Sequence, residues 1–363
     1  MLQRSLKKSI VEMMNSPIAG AHLDEGAIAH FGSLTSEQKQ LVEHSDSSYA
    51  FVPRSVLKVT GKDALSWLDS LTSQKIDHLK AGESSETLIL SPQGRVEHQL
   101  KVIVTAQALW LVIEQSDAQV SEDWLKSMIF MKDVIIDNVS KDYRVLASLT
   151  SDGGELADKA IGIWVDQWGT IVPGGYQYGA AREEEQQWQY SELLVPATVT
   201  PEHEVGVDAF NTLRIMAGRP RFGAETDEKT LPHEVNWLKT AVHLNKGCYR
   251  GQETVAKVHN VGHPPRRLTL LHIDGSEHVI PEIGQEVLYQ DKPVGKITSR
   301  GFHHEAGPIA LALIKRTVPV DATLQLTDGI ACSQETIVPA SAGATVNIPR
   351  GEFLHSEARR PLL

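Results

Sequence analysis

The sequence predicts an α+β protein with more than one domain and a small antiparallel β-barrel near its C-terminal end. The chain has 363 residues, which is long for a single hydrophobic core. Strand-like and helix-like segments alternate between residues 55 and 150. From about residue 264 onward, short strand-like segments are separated by glycine, proline and aspartate and show no helical period, which predicts the barrel.

The first α+β unit begins with a strand and a helix that have local signals. "VLKVTG" (56–61) is strand-like, and "GKDALSWLDSLTSQ" follows with leucines at helical spacing. Thr60 and Asp63 have the spacing of a capping box, so we expect the helix to begin there. Further on, "SPQG" (91–94) predicts a type I turn, because proline and glycine occupy the second and fourth positions.

After this turn, every second residue is expected on the same face of a strand, and that face is predicted to be buried. It is formed by Val96, His98, Leu100, Val102 and Val104. A helix over 121–130, with Ser121 as its N-cap, and the strand "DVIIDNVS" complete the unit. A second α+β unit over 150–200 has weaker signals. Its run Arg182-Glu183-Glu184-Glu185 predicts a solvated face.

Four regions follow from these patterns. Residues 1–20 form an N-terminal arm, because the basic start "MLQRSLKKSIVEMM" is interrupted by polar residues and no cleavage site follows. The α+β region is expected over 21–262, the β-barrel over 263–348 and a tail over 349–363.

The composition favours a protein of the cytoplasm that binds neither nucleic acid directly nor a membrane. The net charge of −11 opposes non-specific binding to phosphate backbones. No apolar run approaches the roughly 18 residues that span a bilayer. Cys248 and Cys332 are the chain's two cysteines, which suits a reducing compartment and is too few for an ordinary iron–sulfur cluster.

The segment "KGCYRGQE" (246–253) is the strongest candidate for a functional motif. Its glycines permit positive φ and allow a ligand to approach the main chain. "GQETVAKV" predicts a helix, and a helix N-terminus together with Lys246 and Arg250 would favour the thiolate form of Cys248. Glu253 could move a proton, or it could pair with Lys257 one turn later.

From the residues alone, several interpretations stay open. Cys248 could be a nucleophile, a cofactor contact or an ordinary buried thiol, which is the commonest role of free cysteine. A metal site is disfavoured, because Gly262 and two prolines break the helix that would bring His259 and His263 together. His98, on an apolar strand face, is either a hydrogen-bonded core residue or a residue that lines a pocket.

The motif, followed by "TVAK", resembles the signature of YgfZ-type folate-binding proteins, which are relatives of the glycine cleavage T-protein (aminomethyltransferase). The resemblance extends over about residues 50 to 320. Further segments stand in that family's order: "VTGKDALSWLDSLTSQ", "LSPQGRV", "LRIMAGRPRFGAE" and "GKITSRG…GPIALALIKR".

This resemblance implies two ferredoxin-like α+β lobes around a central opening that holds tetrahydrofolate or a one-carbon derivative, plus a C-terminal antiparallel β-barrel. It implies a role in the assembly, maintenance or repair of iron–sulfur enzymes, including enzymes that modify transfer RNA, which would be the clients. Cys248 is then the functional cysteine, at the wall of the folate cavity. Implied folate-binding residues are Lys246, Gly247, Tyr249, Gly251, Gln252, Glu253, Arg214, His98 and Gln99; no metal ligand is implied.

Departures from the T-protein pattern suggest a different activity. His98 and Gln99 stand where T-proteins carry aspartates, and neither can replace a carboxylate that shuttles a proton. Met216 replaces a glutamate of the "R-x-E-A-G" segment, whereas Arg214 is retained. We therefore expect folate binding without glycine cleavage. The alternatives are a one-carbon transferase that uses Cys248 or Glu253, and a cysteine hydrolase with a histidine base.

Overall fold

The computed structural model of the chain describes residues 22–24, 27–275 and 280–346. The predicted arm over 1–20 and tail over 349–363 lie outside these residues. The helices are α1 Leu34–Glu43, α2 Ala64–Leu71, α3 Ala118–Ser127, α4 Glu183–Gln186, α5 Val207–Met216 and α6 Gln252–Asn260. Two 3₁₀ helices cover Gly154–Lys159 and Pro232–Val235.

The strands form two five-stranded sheets, a barrel and a two-stranded ribbon. They are β1 His22–Asp24, β2 Ala27–His30, β3 Ser48–Val52, β4 Arg54–Thr60, β5 Ser84–Leu90, β6 Val96–Val104, β7 Leu109–Glu114, β8 Ile135–Asn138, β9 Tyr143–Ser148, β10 Gly162–Val165, β11 Ser191–Pro196, β12 His203–Glu204, β13 Arg266–Ile273, β14 Glu286–Tyr289, β15 Lys292–His303, β16 Gly307–Lys315, β17 Leu324–Leu326 and β18 Ala331–Thr336. The mixed α+β architecture that the sequence predicts is confirmed.

The first lobe is the sheet β5-β6-β7-β4-β8 with α2 and α3 on one face. Alternate residues of β7 point to opposite sides: Leu111 packs against the helices, and Trp110 and Val112 belong to the central core. The sheet is therefore covered on both faces, which explains why "LWLVI" is a continuous apolar run.

A β-bulge makes one part of the strand prediction wrong. His98 pairs with Ile89 and Val96 pairs with Leu90, so Glu97 is an additional residue in β6. Leu100 consequently packs on the helical side, but Val96 packs in the central core. The period-two face predicted from Val96 to Val104 is broken at its first residue.

Both predicted helix starts also need correction. Thr60 is the last residue of β4, and the N-cap position of α2 is held by Asp63. The two residues therefore do not form a capping box. α3 begins three residues before Ser121, after Asp117, and Ser121 instead donates a hydrogen bond of 2.6 Å to the Asp117 carboxylate. Asp117 holds the N-cap position of α3, but its carboxylate caps no backbone amide there and instead binds His98 and Ser121.

The second lobe is the sheet β10-β11-β9-β3-β12, which faces the first sheet across a shared core. The predicted solvated run beside it is wrong for two of its four residues: Glu183 is exposed and Glu184 partly exposed, but Arg182 and Glu185 are buried. Glu185 is 1% exposed and forms a buried ion pair with Lys239, while Arg182 donates to Glu335 and to the Met216 carbonyl. Partners distant in sequence bury these charges, so the local pattern does not reveal them.

The predicted C-terminal barrel is confirmed. Its six antiparallel strands close in the order β13-β16-β15-β14-β17-β18. Leu271, Ile297 and Ala312 belong to the barrel's own core, whereas Leu268 and Leu311 join the central core between the lobes. All six strands lie within 263–348, and the boundaries of the four regions stay predictions.

The predicted hairpin and the helix α6 are both confirmed, and they contact each other through two glycines. The Gly94 amide donates to the Ser91 carbonyl at 2.9 Å, which closes the turn. Gly251 precedes α6 with φ of +84°, and a Cβ atom there would lie 2.4 Å from the Ser91 oxygen. Backbone therefore touches backbone, and this contact fixes the cysteine motif against the first lobe.

Gly251→Ala should lower the free energy of unfolding by about 2 kcal/mol or more, because a left-handed alanine costs about 1–2 kcal/mol before the clash with Ser91 is added. Gly247→Ala is the matched control, since a Cβ atom at that position would have no neighbour within 4 Å and its φ is not in the left-handed region. Urea denaturation measures both. Equal losses for the two variants would contradict this explanation of Gly251.

Candidate functional site

A cavity of about 220 Å³ lies between the two sheets, with α5 beside it. β6 contributes Gln99 and Lys101, and the ends of neighbouring strands contribute Arg54 and Glu114. The remaining lining includes four aromatic residues, one arginine of α5 and the segment after α5: Trp164, Trp188, Tyr190, Phe210, Arg214, Arg219, Pro220 and Arg221. We call this space the central cavity.

An ion cluster connects the two sheets at this cavity. Glu192 of β11 accepts hydrogen bonds from Lys101 at 2.6 Å, from Arg54 at 2.9 Å and from the Tyr190 hydroxyl at 2.8 Å. Burial alone would raise the pKa of Glu192, but Arg54 and Lys101 outweigh it and hold this pKa well below its usual range. Burial also lowers the pKa of the Lys101 ammonium, against the attraction of Glu192.

Three buried polar atoms of the cavity lining make no hydrogen bond to the described residues. They are Glu114 Oε1, Arg219 Nη1 and Arg221 Nε. One is an acceptor and two are donors, and leaving such atoms unpaired in a protein interior costs about 1–3 kcal/mol each. Buried polar groups normally have partners, so these atoms indicate a ligand or ordered water.

Aromatic rings line the cavity beside these atoms. The Trp188 and Tyr190 rings stack with centroids 5.4 Å apart and an interplanar angle of 16°. Lys101 Nζ lies 4.5 Å from the centroid of the Trp164 ring. Flat apolar surfaces next to unpaired donors and an acceptor suit a planar heterocycle with polar edges.

Arg214 and Gln99 both line this cavity, as the resemblance implies, and both also bind protein groups. Arg214 donates to Glu225, to the Arg219 carbonyl and to Asn211, at 2.8–3.0 Å, and to Ser299 at 2.6 Å. Gln99 donates to Glu86. Arg214 therefore forms a structural ion pair with Glu225, and its position on the cavity wall leaves a ligand contact as a prediction.

His98 lies on the opposite face of the same strand. Its Nδ1 is 2.9 Å from the Asp117 carboxylate and 3.0 Å from Ser121 Oγ, and its side chain is buried. It is absent from the lining of the central cavity. This geometry is that of a hydrogen-bonded core histidine, which was one of the two interpretations of the sequence.

The cysteine motif forms a loop whose base is firmly held. Lys246 is 8% exposed, and its ammonium donates to the carbonyls of Asp69, Thr72 and Gln74 at 2.6–2.9 Å. Gln252 donates to the Lys246 carbonyl at 3.1 Å. Tyr249 is buried, whereas Gly247 and Cys248 are exposed. The loop therefore displays its thiol on a rigid base.

The sulfur of Cys248 is accessible, as expected, but the loop does not line the central cavity. The expectation that this thiol lies on the cavity wall is not met. The predicted cationic surroundings are also partly neutralised, because Arg250 pairs with Glu97 at 2.7 Å and Lys246 is saturated by carbonyls. Glu253 is exposed, and among the described ion pairs none joins it to Lys257. Its role stays a prediction.

Sequence reasoning missed most of the cavity. Lys101 in "VEHQLKVIV" and Glu192 in "SELLVP" stand inside apolar strands, and a charge in such a position is a usable signal of a buried functional group. Arg54, Glu114 and the aromatic residues have no such local signal. They come together only because the two sheets face each other.

The fold is that of an α+β protein with two five-stranded sheets and a β-barrel, and the cavity between its sheets has polar walls that carry aromatic residues. The GCVT N-terminal domain family matches residues 53–149. An aminomethyltransferase of Prosthecochloris aestuarii is 25% identical over 264 residues, which cover 66% of this chain and 71% of that protein. In sequence, the chain is therefore similar to aminomethyltransferases over about two thirds of its length.

Two further comparisons agree with this relationship. A putative chloroplastic transferase of Arabidopsis thaliana is 25% identical over 284 residues, which cover 72% of this chain but only 63% of that protein. The crystal structure of glycine cleavage system aminomethyltransferase T from Bartonella henselae superposes with a TM-score of 0.65 at 17% identity, over 89% of this chain and 94% of that one. At this identity the structural likeness shows the fold.

The described residues contain neither a cluster of metal ligands nor a membrane-spanning helix. Among them, no group of three or more His, Cys, Asp or Glu side chains is arranged to hold a metal ion. Over the same part of the chain, no helix combines the length and apolar character that a membrane span needs. His259, one of the histidines considered as ligands, lies 3.0 Å from the Tyr178 hydroxyl through Nδ1.

The helix α6 that follows the cysteine motif rests on a buried histidine, which should make it sensitive to acid. His233 is fully buried, its Nε2 lies 3.1 Å from the Val255 carbonyl, and burial lowers its pKa to about 3. In the unfolded chain, His233 takes up a proton below its ordinary pKa of about 6.5. In the folded chain, His233 stays neutral until the pH approaches 3. Stability is therefore complete above pH 6.5 and falls as the pH drops toward 3.

His233→Gln should reduce the slope of unfolding free energy against pH between pH 6 and 4 by about 1.4 kcal/mol per unit. Urea titrations of the wild type and of His233→Gln between pH 6 and 4 measure the two slopes. Subtracting one slope from the other cancels the contributions of the remaining histidines, which both proteins contain. Identical slopes would show that His233 does not stay neutral in the folded protein. The exposed His78→Gln variant is the control and should leave the slope unchanged.

Proposed function

We propose that the central cavity binds tetrahydrofolate or one of its one-carbon derivatives, and that the protein supports iron–sulfur enzymes in a folate-dependent way. The observation that carries the folate assignment is the set of unpaired buried atoms, Glu114 Oε1, Arg219 Nη1 and Arg221 Nε, among aromatic rings. The relatives named aminomethyltransferase support the same ligand class.

The residues of the cavity fit a reduced pterin. A carboxylate oxygen such as Glu114 Oε1 can accept from an amino-substituted ring edge, and the arginine donors can serve a ring carbonyl or a carboxylate of the glutamate tail. Trp164 and Tyr190 supply flat surface on which a ring can stack. Tetrahydrofolate, when bound, supplies the nitrogen atoms that carry a one-carbon unit.

The chain's own groups determine what can happen to such a ligand. Gln99, which faces the cavity, is an amide and cannot exchange a proton in the physiological range. Lys101, whose pKa is lowered by burial, and Glu114, which has one unpaired oxygen, are two ionisable groups of the cavity wall. These two groups, not Cys248 or Glu253, favour a folate-dependent one-carbon transferase as the second candidate function.

The accessory role rests on a different part of the molecule. Cys248 is exposed on a loop whose base is held by buried hydrogen bonds, so its thiol can meet a protein partner without rearrangement of the fold. The resemblance of "KGCYRGQE" to YgfZ-type proteins suggests that iron–sulfur enzymes are these partners. A cytoplasmic location is part of this proposal and stays a prediction, since one relative is chloroplastic.

Glu114→Gln should weaken binding of tetrahydrofolate about tenfold or more, because a hydrogen bond to a charged group contributes about 1.5–3 kcal/mol. Isothermal titration calorimetry measures the dissociation constants, and circular dichroism confirms the fold of each variant. The control is Glu97→Gln, which removes a carboxylate that pairs with Arg250 outside the cavity. Unchanged affinity in Glu114→Gln, or no binding by the wild type, would overturn the folate assignment.

Cys248→Ala should leave the unfolding free energy within about 0.5 kcal/mol of the wild type, because the side chain is exposed. It should also leave folate affinity unchanged, since Cys248 lies outside the cavity lining. In cells that lack the native protein, however, it should fail to restore the activity of iron–sulfur enzymes. Cys332→Ala, which changes the buried barrel thiol, is the control for loss of a thiol as such. Full restoration by Cys248→Ala would refute the accessory role proposed for this thiol.

A further inference from the structure

A second groove of about 560 Å³ shares the lining residue Trp188 with the central cavity. The Trp188 ring borders both spaces, and its indole nitrogen donates to Asp166 at 3.0 Å, which fixes its position. The groove is formed by α4, α5, the end of α1 and the β15–β16 turn. We call it the acidic groove.

The floor of the acidic groove is apolar. Leu149, Leu213 and Met216 line it, and each is only partly buried by the rest of the protein. Met216 is the residue that stands where the T-protein segment has glutamate.

The rim of the groove carries negative charge. Glu183, Glu184 and Glu305 line it, and none of the described lining residues is lysine or arginine. Glu184 is partly compensated by Arg182, whose Nη2 lies 3.4 Å away, whereas the Glu305 side chain is 80% exposed. An apolar floor with a carboxylate rim suits a ligand that has an aliphatic stem and a positively charged end.

A buried histidine, His303, restricts which hydrogen-bonding groups a ligand of the groove can have. His303 is 6% exposed, and its Nδ1 accepts from the backbone amides of Glu305 and Ala306, both at 3.2 Å. Nδ1 is therefore the unprotonated nitrogen, and in the neutral ring Nε2 carries the hydrogen. No described residue accepts from Nε2, and His303 is one of the residues that line the groove.

Burial and the neighbouring His304 lower the pKa of His303, although Glu305 and Glu184 act in the opposite direction. The ring is accordingly neutral near pH 7 and offers one N–H donor to a ligand. The ligand must then present a hydrogen-bond acceptor as well as a positive charge. A polyamine lacks such an acceptor, whereas a lysine residue within a peptide has a backbone carbonyl close to its aliphatic stem.

We propose that the acidic groove binds a lysine side chain, within a peptide segment, of a partner protein. The ammonium lies among the carboxylates of the rim, the aliphatic stem packs on Leu213 and Met216, and a peptide carbonyl accepts from His303. This interaction goes beyond folate binding. It would place a partner protein at a groove that shares Trp188 with the central cavity.

The peptide acetyl-Leu-Lys-Leu-amide is the probe, and ligand-detected NMR measures its dissociation constant for the full-length protein without folate. We expect saturable binding with a dissociation constant on the order of 1 mM or tighter. The same peptide with an Nε-acetylated lysine should bind roughly threefold to tenfold more weakly, because the charge is removed. Spermidine should also bind more weakly than the peptide.

The double variant Glu183→Gln/Glu305→Gln should weaken peptide binding by about threefold to tenfold. Glu228→Gln/Glu286→Gln, which changes two exposed carboxylates outside the groove lining, should leave it unchanged. Equal binding of the acetylated peptide, tighter binding of spermidine, or equal losses in the two double variants would each overturn the proposal. None of these results depends on folate, so they are separable from a failure of the folate assignment.

Discussion

The structure depends on charges that are buried between two facing β-sheets. Glu192 belongs to one sheet, and Arg54 and Lys101, which bind it, belong to the other. Arg219 makes a second connection of this kind, since it binds Glu86 of β5 and Asp166, which follows β10, both at 2.8 Å. Replacing such pairs with apolar residues is often neutral or stabilising, so stability alone does not explain them. They hold the sheets in a defined relation and keep polar atoms at the cavity wall.

This arrangement explains why the central cavity can be selective. The atoms that are fully paired hold the walls in place, while Glu114 Oε1, Arg219 Nη1 and Arg221 Nε stay available for a ligand. Arg219 does both, because two of its nitrogens bind carboxylates and the third is unpaired. A ligand that completes these contacts meets a site that is already organised, which reduces the entropic cost of binding.

The cysteine loop and the central cavity are separate parts of the molecule, although one sequence motif suggested that they form a single site. Lys246 and Gln252, which the resemblance implies are folate ligands, bind backbone groups and hold the loop. The contact between Gly251 and the hairpin at Ser91 joins this loop to the start of β6, and Gln99 of β6 lines the cavity. The cysteine loop and one wall of the cavity therefore belong to one connected unit.

The sequence predicted those features whose causes are local. The "SPQG" hairpin, the helix after Gly251 and the barrel strands have signals within a few residues, and the structure contains each of them. The buried pair of Glu185 with Lys239 depends on a partner far along the chain, so no local pattern shows it. The cavity was hidden for the same reason, because its walls come from strands and loops between residues 27 and 283.

The most direct test of this account is a crystal structure of the protein with bound tetrahydrofolate or its stable 5-formyl derivative. The account predicts electron density for the pterin ring in the central cavity, against Trp164 or Tyr190, with Glu114 and at least one of Arg219 and Arg221 within hydrogen-bonding distance. Density for the ligand at any other place, with the central cavity filled only by water, would contradict it.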